Sequence, residues 1–165
     1  GTKEFLRRSG EFTVNIALID EGVPVMGVVT APAIDRAFRA CGSGTAELRE
    51  KDGVWRPISV RDIPDEGAIV VSSKSHGDEK KIEALIQGLK IQGHKIAGSS
   101  LKFCLVAKGE ADIYPRYGPT SEWDTAAGHA VLLGAGGNVR LFDGSELPYG
   151  KTGWRNPGFI ARGAK

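Results

Sequence analysis

A carboxylate at the start of a predicted helix is the first candidate for chemistry in this sequence. Asp124 follows Trp123 and precedes the small residues at 125–128, which allow another group to approach the helix closely. An acidic side chain at this place faces the positive end of the helix dipole. It could bind a cation, or it could cap the helix, because Ser121 and Asp124 have the Ser-x-x-Asp spacing of a capping box. The residues alone favour capping and leave the metal-ligand interpretation open.

A lysine in a first helical turn could contribute to an anion site. Lys102 lies at the start of a helix predicted over 101–108, directly after Ser99 and Ser100. A cation there opposes the helix dipole and costs roughly a few tenths of a kcal/mol unless an anion lies nearby. A serine hydroxyl, free helix amides and Lys102 could therefore bind a phosphate or a ribose. The alternative is a solvated lysine beside a serine whose hydroxyl caps the helix.

Two further side chains have types that suit a nucleotide. Arg116 could bind a phosphate or stack on an adenine, because the guanidinium group is planar and carries several donors. His76 follows the end of a predicted strand, where open α/β sheets tend to bind ligands. An ordinary surface arginine and an ordinary loop histidine are the respective alternatives.

The other histidines do not indicate a metal site. His94 and His129 lack the spacing of a zinc site, so hard oxygen ligands and magnesium are favoured instead. His129 lies one turn after Asp124 and is interpreted as a packing residue or a partner of a ligand, and His94 as an exposed loop residue. The glycine-rich residues 134–137 follow a helix and are interpreted as its stop, because a dinucleotide-binding loop precedes a helix.

The elements that must position these residues change in type along the chain. Residues 12–18 and 23–29 flank a turn and predict a β-hairpin, and the first 60 residues as a whole predict an antiparallel sheet. From residue 67 onward, strands alternate with helices. The remaining predicted elements are strands over 37–41, 55–60, 68–71, 112–116, 139–142 and 159–161, and helices over 79–89, 101–108 and 123–133. The change near residue 65 predicts an antiparallel α+β domain, 1–65, and an α/β domain, 66–165.

Two motifs resemble the signatures of a known superfamily. Residues 123–130, Trp-Asp-Thr-Ala-Ala-Gly-His-Ala, resemble the second signature of the lithium-sensitive inositol monophosphatase superfamily, whose aspartate binds magnesium. Residues 1–5 resemble the end of its first signature, Asp-Pro-Leu-Asp-Gly-Thr, so that two metal-binding aspartates would lie just before residue 1. The stretches 10–17 and 98–104 resemble the 3′(2′),5′-bisphosphate nucleotidases of the CysQ type. Two signatures in the right order are far more specific than one motif.

The resemblance implies a fold and a set of site residues. The fold would be α/β with α+β layering, the αβαβα sandwich of the inositol monophosphatase and fructose bisphosphatase type, here only its C-terminal portion. Asp124 would bind the second magnesium ion, and Thr2 would be catalytic by presenting a donor to the scissile phosphate. The residues implied in substrate binding are Gly1, Thr2, His76, Ser99, Lys102, Arg116 and Asp124.

The activity that the resemblance implies is hydrolysis of adenosine 3′,5′-bisphosphate to AMP and phosphate, with Mg²⁺ as cofactor and no covalent phosphoenzyme. The upstream carboxylates that bind most of the metal in the family are absent from these residues, so the implication concerns a longer parent protein. Two alternatives stay open. One is an inositol monophosphatase-like or fructose bisphosphatase-like phosphatase, and the other is a non-catalytic nucleotide-binding module.

Composition restricts the partners and the location. The 165 residues include 22 basic and 20 acidic ones, a formal net charge of +2, so no extended field favours a nucleic acid polymer, although a few placed cations could bind a small anion. The small-molecule nucleotide as partner is implied by the resemblance. No apolar run has the roughly 20 residues of a membrane-spanning helix. Cys41 and Cys104 lie far apart, which favours the cytoplasm, and a peripheral position at the cytoplasmic face of the inner membrane is the alternative. A chain without the upstream half is expected to expose apolar sheet surface and to form a homodimer or aggregate.

Overall fold

The computed structural model describes residues 5, 10–73 and 79–163 of the chain. It contains two five-stranded sheets, a two-stranded ribbon and three α-helices among these residues. The layered arrangement of helices and sheets is the α/β class that the sequence predicts.

The first sheet is an antiparallel meander in which each strand pairs with the next one along the chain. Its strands, in spatial and in sequence order, are β1 Val14–Asp20, β2 Val23–Ala31, β3 Arg36–Cys41, β4 Glu47–Arg49 and β5 Trp55–Pro57. Glu21 and Gly22 form the two-residue turn of the first hairpin, and both have positive φ angles, as tight hairpin turns require. The predicted hairpin and the antiparallel character of the first 60 residues are confirmed.

The second sheet is mixed. Its strands are β6 Ala68–Ser72, β7 Ile91–Ile96, β8 Ile113–Arg116, β10 Asn138–Leu141 and β12 Phe159–Arg162, in the spatial order β10-β12-β8-β6-β7. β6 runs parallel to β7 and β8, whereas β12 is antiparallel to both β8 and β10. Val70 and Val71 on β6 are both fully buried, as the continuous apolar run predicts. A short ribbon pairs β9 Thr120–Ser121 with β11 Arg155–Asn156.

The three helices are α1 Glu79–Leu85, α2 Leu101–Ala107 and α3 Glu122–Gly134. α3 is the central helix, because it packs across β1, β2 and β3 of the first sheet and also against α2. The predicted small-residue face makes this contact: a side chain on Gly27 of β2 would collide with the Ala127 carbonyl and with the Cβ of Ala130. None of the helices in the described ranges is long and apolar enough to cross a membrane.

Two predictions about the region between residues 79 and 96 are wrong. The helix ends at Leu85, and Leu89 beyond it is exposed. His94 lies on strand β7 and not in a loop, although it is exposed as predicted. β7 is the last strand at one side of its sheet, where alternate side chains face outward, so its sequence carries few apolar residues.

One hydrophobic core includes residues from both halves of the chain. Phe38 and Leu48 from the first sheet belong to the same buried cluster as Phe103, Val131 and Phe159 from later elements. The helix α3 therefore lies against the sheet of the first segment although it comes from the second. The division of the chain into two domains near residue 65 stays a prediction.

Candidate active site

The candidate site residues follow the carboxyl ends of three parallel strands. β6 ends at Ser72, β7 leads through residues 97–100 into α2, and β8 ends at Arg116 and leads through β9 into α3. Because parallel strands have their carboxyl ends at the same edge of a sheet, the loops after them meet there. The fold thus brings Ser99, Lys102, Arg116 and Asp124 to this edge.

The loop before α2 is tied both to the first sheet and to α3. Ser99 has a φ angle of +49°, a strained conformation for a residue other than glycine. Its hydroxyl forms a hydrogen bond with the Thr13 hydroxyl, which also accepts one from Nδ2 of Asn15 at 3.1 Å. Ser100 is the N-cap residue of α2, but its hydroxyl makes no capping bond and donates to the Asp124 carbonyl oxygen at 3.2 Å. The predicted serine-hydroxyl cap is therefore wrong, because this hydroxyl connects α2 to α3.

Lys102 is a buried cation, with only 3% of its surface exposed. Its ammonium group donates to the carbonyl oxygens of Ser99 at 2.8 Å and Ala97 at 3.2 Å, and it lies 5.2 Å from the centre of the Tyr114 ring. Carbonyl dipoles and an aromatic face can stabilise a positive charge away from water. The alternative of a solvated lysine is wrong, and Lys102 holds the shape of the loop that carries Ser99.

Arg116 is half-buried and joins two loops. Its Nη1 donates to the Ser73 hydroxyl at 3.2 Å, just after β6, and its Nε donates to the Gly118 carbonyl oxygen at 3.1 Å. Nη2 lies at 3.5 Å from the Pro119 carbonyl oxygen. A plain surface arginine is therefore excluded, because the guanidinium group is fixed at the carboxyl ends of β6 and β8.

Asp124 lies in the first turn of α3 with an exposed side chain. The Ser121 amide donates to its Oδ2 at 2.9 Å, so the capping interpretation from the sequence is confirmed. No described residue donates a hydrogen bond to the other oxygen, Oδ1. A carboxylate with one oxygen engaged and the other directed to solvent can cap the helix and bind a cation at the same time.

Among the described residues, Asp124 is the predicted ligand of a divalent metal ion. These residues contain no group of three or more His, Cys, Asp or Glu side chains that could hold a metal ion. Mg²⁺ is usually held by one or two carboxylates, with water and phosphate oxygens completing the octahedron. Asp124 fits one such ligand, and the rest of the protein ligands would have to come from outside the described residues.

Three predicted site residues lie outside the described part of the chain: Gly1, Thr2 and His76. Their roles in binding phosphate and nucleotide, and the catalytic role of Thr2, remain predictions.

A buried carboxylate beside Asp124 was not singled out from the sequence. Glu122 accepts hydrogen bonds from the Gly150 and Lys151 amides, both at 2.9 Å, and pairs with the Lys151 ammonium at 2.7 Å. Burial alone would raise the pKa of Glu122, but these hydrogen bonds outweigh it and lower the pKa below its ordinary value. The only sequence signal was a second acid in the first turn of the helix, since the partners lie almost thirty residues away.

His129 belongs to a buried polar network on the same helix. Its Nδ1 lies 3.0 Å from the Tyr149 hydroxyl, which donates to Thr125 Oγ1 at 3.2 Å, and Asn156 donates to the same Thr125 oxygen at 3.0 Å. Burial lowers the pKa of His129 to about 4, so the imidazole is neutral at physiological pH. The interpretation as a packing residue is confirmed.

Comparisons with known proteins agree on one family. The sequence profile of the inositol monophosphatase family matches residues 1–161. The 3′(2′),5′-bisphosphate nucleotidase CysQ of Salmonella typhimurium is 51% identical over 160 residues, which are 96% of this chain and 63% of that protein. The chain therefore spans less than two thirds of the length of this curated relative.

Solved structures of the family share the fold. The crystal structure of CysQ from Bacteroides thetaiotaomicron, described as a bacterial member of the inositol monophosphatase family, superposes with a TM-score of 0.87 at 39% identity, over 100% of this chain and 67% of the other. The inositol monophosphatase of Anabaena gives a TM-score of 0.76 at 28% identity, over 98% of this chain and 63% of the other. The predicted layered α+β fold is confirmed.

Proposed function

We propose, because this chain belongs to the inositol monophosphatase family, that it takes part in a magnesium-dependent phosphatase reaction that converts adenosine 3′,5′-bisphosphate to AMP and phosphate. The observation that carries the proposal is the meeting of two cations and a carboxylate at one sheet edge. Lys102 and Arg116 are fixed there by backbone carbonyls, and Asp124 presents a carboxylate at the same edge.

Each residue has a role that its contacts support. Asp124 would hold a magnesium ion, which when bound supplies an activated water and stabilises the leaving oxygen. Arg116 would bind a phosphate or the adenine, and Ser99 would contact the nucleotide through a loop that Lys102 holds in shape. Among the residues outside the described part, Gly1 and Thr2 would donate to the scissile phosphate and His76 would orient the nucleotide.

The nucleotide is favoured over an inositol phosphate by the position of Arg116. A bisphosphate carries a second anionic group away from the reacting one, and the half-buried Arg116 at the end of β8 would supply a cation for it. The 51% identity to a bisphosphate nucleotidase, against 28% to the Anabaena inositol monophosphatase, supports the same choice.

The test is phosphate release from adenosine 3′,5′-bisphosphate with magnesium. It is applied to the 165-residue chain and to a chimera in which this chain replaces the matching region of the Salmonella nucleotidase. We expect Asp124→Asn to lower the activity of the chimera by at least about a thousandfold, since an amide is a poor magnesium ligand, although its oxygen can still accept the hydrogen bond from the Ser121 amide. Asp20→Asn, at an exposed strand end, is the matched control and should leave the rate unchanged.

The outcomes separate the alternatives. Full activity of the Asp124→Asn chimera would contradict the proposed metal role, and faster release from inositol monophosphate would contradict the substrate. A chimera without turnover whose calorimetric titration shows tight, metal-independent binding of the bisphosphate would favour the non-catalytic module.

We also propose self-association and a cytoplasmic location. Ile16 on β1 has 62% of its surface exposed, beside the exposed Val14 and Leu18, which supports an apolar contact with a second copy. Cys41 and Cys104 are both free thiols, as a reducing compartment favours.

A further inference from the structure

The start of α3 is held by a distant part of the chain, the segment of residues 148–156. The Glu122 amide donates to the Trp154 carbonyl oxygen at 2.9 Å, and β11 of the same segment pairs with β9 directly before the helix. The Tyr149 amide donates to the Gly22 carbonyl oxygen at 3.2 Å, in the turn between β1 and β2. The 148–156 segment thus connects the first hairpin to the first turn of α3.

Glu122 makes the charged side-chain contacts with this segment, beside the neutral contacts of Tyr149 and Asn156 with Thr125. Only 7% of the residue is exposed, and both carboxylate oxygens are engaged: Oε2 by the Gly150 amide, and Oε1 by the amide and the ammonium group of Lys151. The same ammonium group also donates to the Pro148 carbonyl oxygen. A buried carboxylate is tolerated only when its oxygens are satisfied, so the position of Glu122 and the path of the segment depend on each other.

Asp124 depends on the same turn for its direction. It lies two residues after Glu122, and its side chain is exposed, so packing does not hold it. The Ser121 amide contacts its carboxylate, and the Ser100 hydroxyl contacts its backbone carbonyl. A rotation of the first turn would therefore redirect the Asp124 carboxylate.

We propose that Glu122 is a positioning residue, which fixes the direction of the Asp124 carboxylate by anchoring the first turn of α3 to the 148–156 segment. The anchoring follows from the contacts, and its value for metal binding rests on the proposed function. Groups that orient a metal ligand typically change metal affinity or activity by about 10- to 100-fold when they are removed.

The first measurement is the NMR signal of the Ser121 amide in the ¹⁵N-labelled 165-residue chain, because this amide donates to Asp124. Glu122→Gln keeps the side-chain size and removes the charge. We expect it to shift the Ser121 resonance and to raise the hydrogen-exchange rate of that amide at least about tenfold, as a local opening does. Glu146→Gln, on a side chain that is 80% exposed, is the matched control and should change neither quantity.

The second measurement uses Mn²⁺ alone as a probe of the carboxylate, in the chimera with the Salmonella nucleotidase, whose added region would supply the other metal ligands. Bound Mn²⁺ broadens the NMR signals of nearby amides, here those in the first turn of α3. The Mn²⁺ concentration that produces half of the maximal broadening is the measured quantity. We expect Glu122→Gln to raise this concentration about tenfold or more, while Glu146→Gln matches the unmodified chimera.

An unchanged Ser121 amide in Glu122→Gln would overturn the proposal. A uniform rise of exchange across all amides would also overturn it, because Glu122 would then contribute to general stability only. If Glu122→Gln does not fold, Lys151→Met decides the matter, since it keeps both amide donors and should give a smaller change in the same direction. A chimera that does not bind Mn²⁺ but shows the Ser121 response would refute the metal role of Asp124 and leave the anchoring supported.

Discussion

Charged side chains around the candidate site are satisfied mainly by backbone groups of loops. Lys102 donates to two carbonyl oxygens, and Glu122 accepts from two amides. Because a buried charge without partners is very unfavourable, each of these residues restricts its loop to the path that supplies the partners. The loops at the site therefore owe their shape to buried charges as well as to packing.

His129 makes stability depend on pH in a predictable direction. Its pKa is lowered from 6.5 to about 4 in the folded protein, so the unfolded chain binds more protons at this residue between those values. Stability is then lost as the pH falls through this window. We expect the free energy of unfolding to decrease by about 2 kcal/mol from pH 7 to pH 5 because of His129.

Urea unfolding at a series of pH values measures this effect. His129→Asn should flatten the slope between pH 7 and pH 5, whereas His94→Asn, at an exposed site, should leave the slope as it is. Glu21, Arg140 and Glu146 line the cavity that His129 borders, and Tyr149 contacts its ring, so the same series in Glu21→Gln shows how much a neighbouring charge contributes. An unchanged slope in His129→Asn would refute the assignment.

The sequence alone was sufficient to select Asp124, Lys102 and Arg116 as candidates, because their types and positions in predicted elements are local features. Their roles came from the resemblance to a family. The ion pair between Glu122 and Lys151 could not be predicted, since no local pattern links residues that the fold brings together from separate loops. The contacts of Lys102 with two backbone carbonyls could not be predicted for the same reason.

The helix α3 links the first sheet to the candidate site, because it packs on that sheet and carries Asp124. Its close approach to β2 requires the absence of a side chain at Gly27, where a Cβ atom would lie 2.8 Å from the Cβ of Ala130 and even closer to the Ala127 carbonyl. The helix and the sheet would have to move apart to admit a larger residue.

Gly27→Ala should therefore destabilise the protein by about 3 kcal/mol, at the upper end of the usual range for overpacking. Gly93→Ala is the matched control, because Gly93 also lies in a strand, and nothing lies within 4 Å of the added atom. The midpoint of urea unfolding measures both. Equal stabilities of the two variants would show that the contact between α3 and β2 adapts to an added methyl group.

Elements with strong periodicity were predictable, and the strand β7, which has little apolar signal, was not. The alternation in β1 and the small-residue face of α3 can be recognised in the sequence, because each element buries one face. β7 was not predicted, because the four residues between its two isoleucines, Gln92, Gly93, His94 and Lys95, do not show the apolar alternation of a strand. Its strand conformation comes from pairing with β6, which is a tertiary contact.

At the scale of the whole molecule, the outermost strand of the first sheet exposes a row of apolar side chains. Among the described residues this strand is β1, and Val14, Ile16 and Leu18 point outward from it with more than half of their surface exposed. Edge strands with apolar faces tend to pair with other chains. This surface is the proposed contact for self-association.

Ile16→Lys should weaken the self-association of the 165-residue chain at least about tenfold in dissociation constant, because a charge would be placed in an apolar contact. Val54→Lys is the control, since Val54 is an exposed valine away from β1. Size-exclusion chromatography with light scattering measures the mass of each variant. A wild-type chain that stays monomeric at its highest soluble concentration would contradict the proposed contact.

The position of β12 determines when the second sheet can form during synthesis. β12 is the last described strand along the chain, yet it lies between β10 and β8 and supplies the pairing partner for each. The first meander can pair while the ribosome is still adding later residues, because each of its strands follows its neighbour. The second sheet cannot be completed until residues 159–162 have left the ribosome. Until then β8 and β10 have unpaired edges, which a chaperone would have to shield.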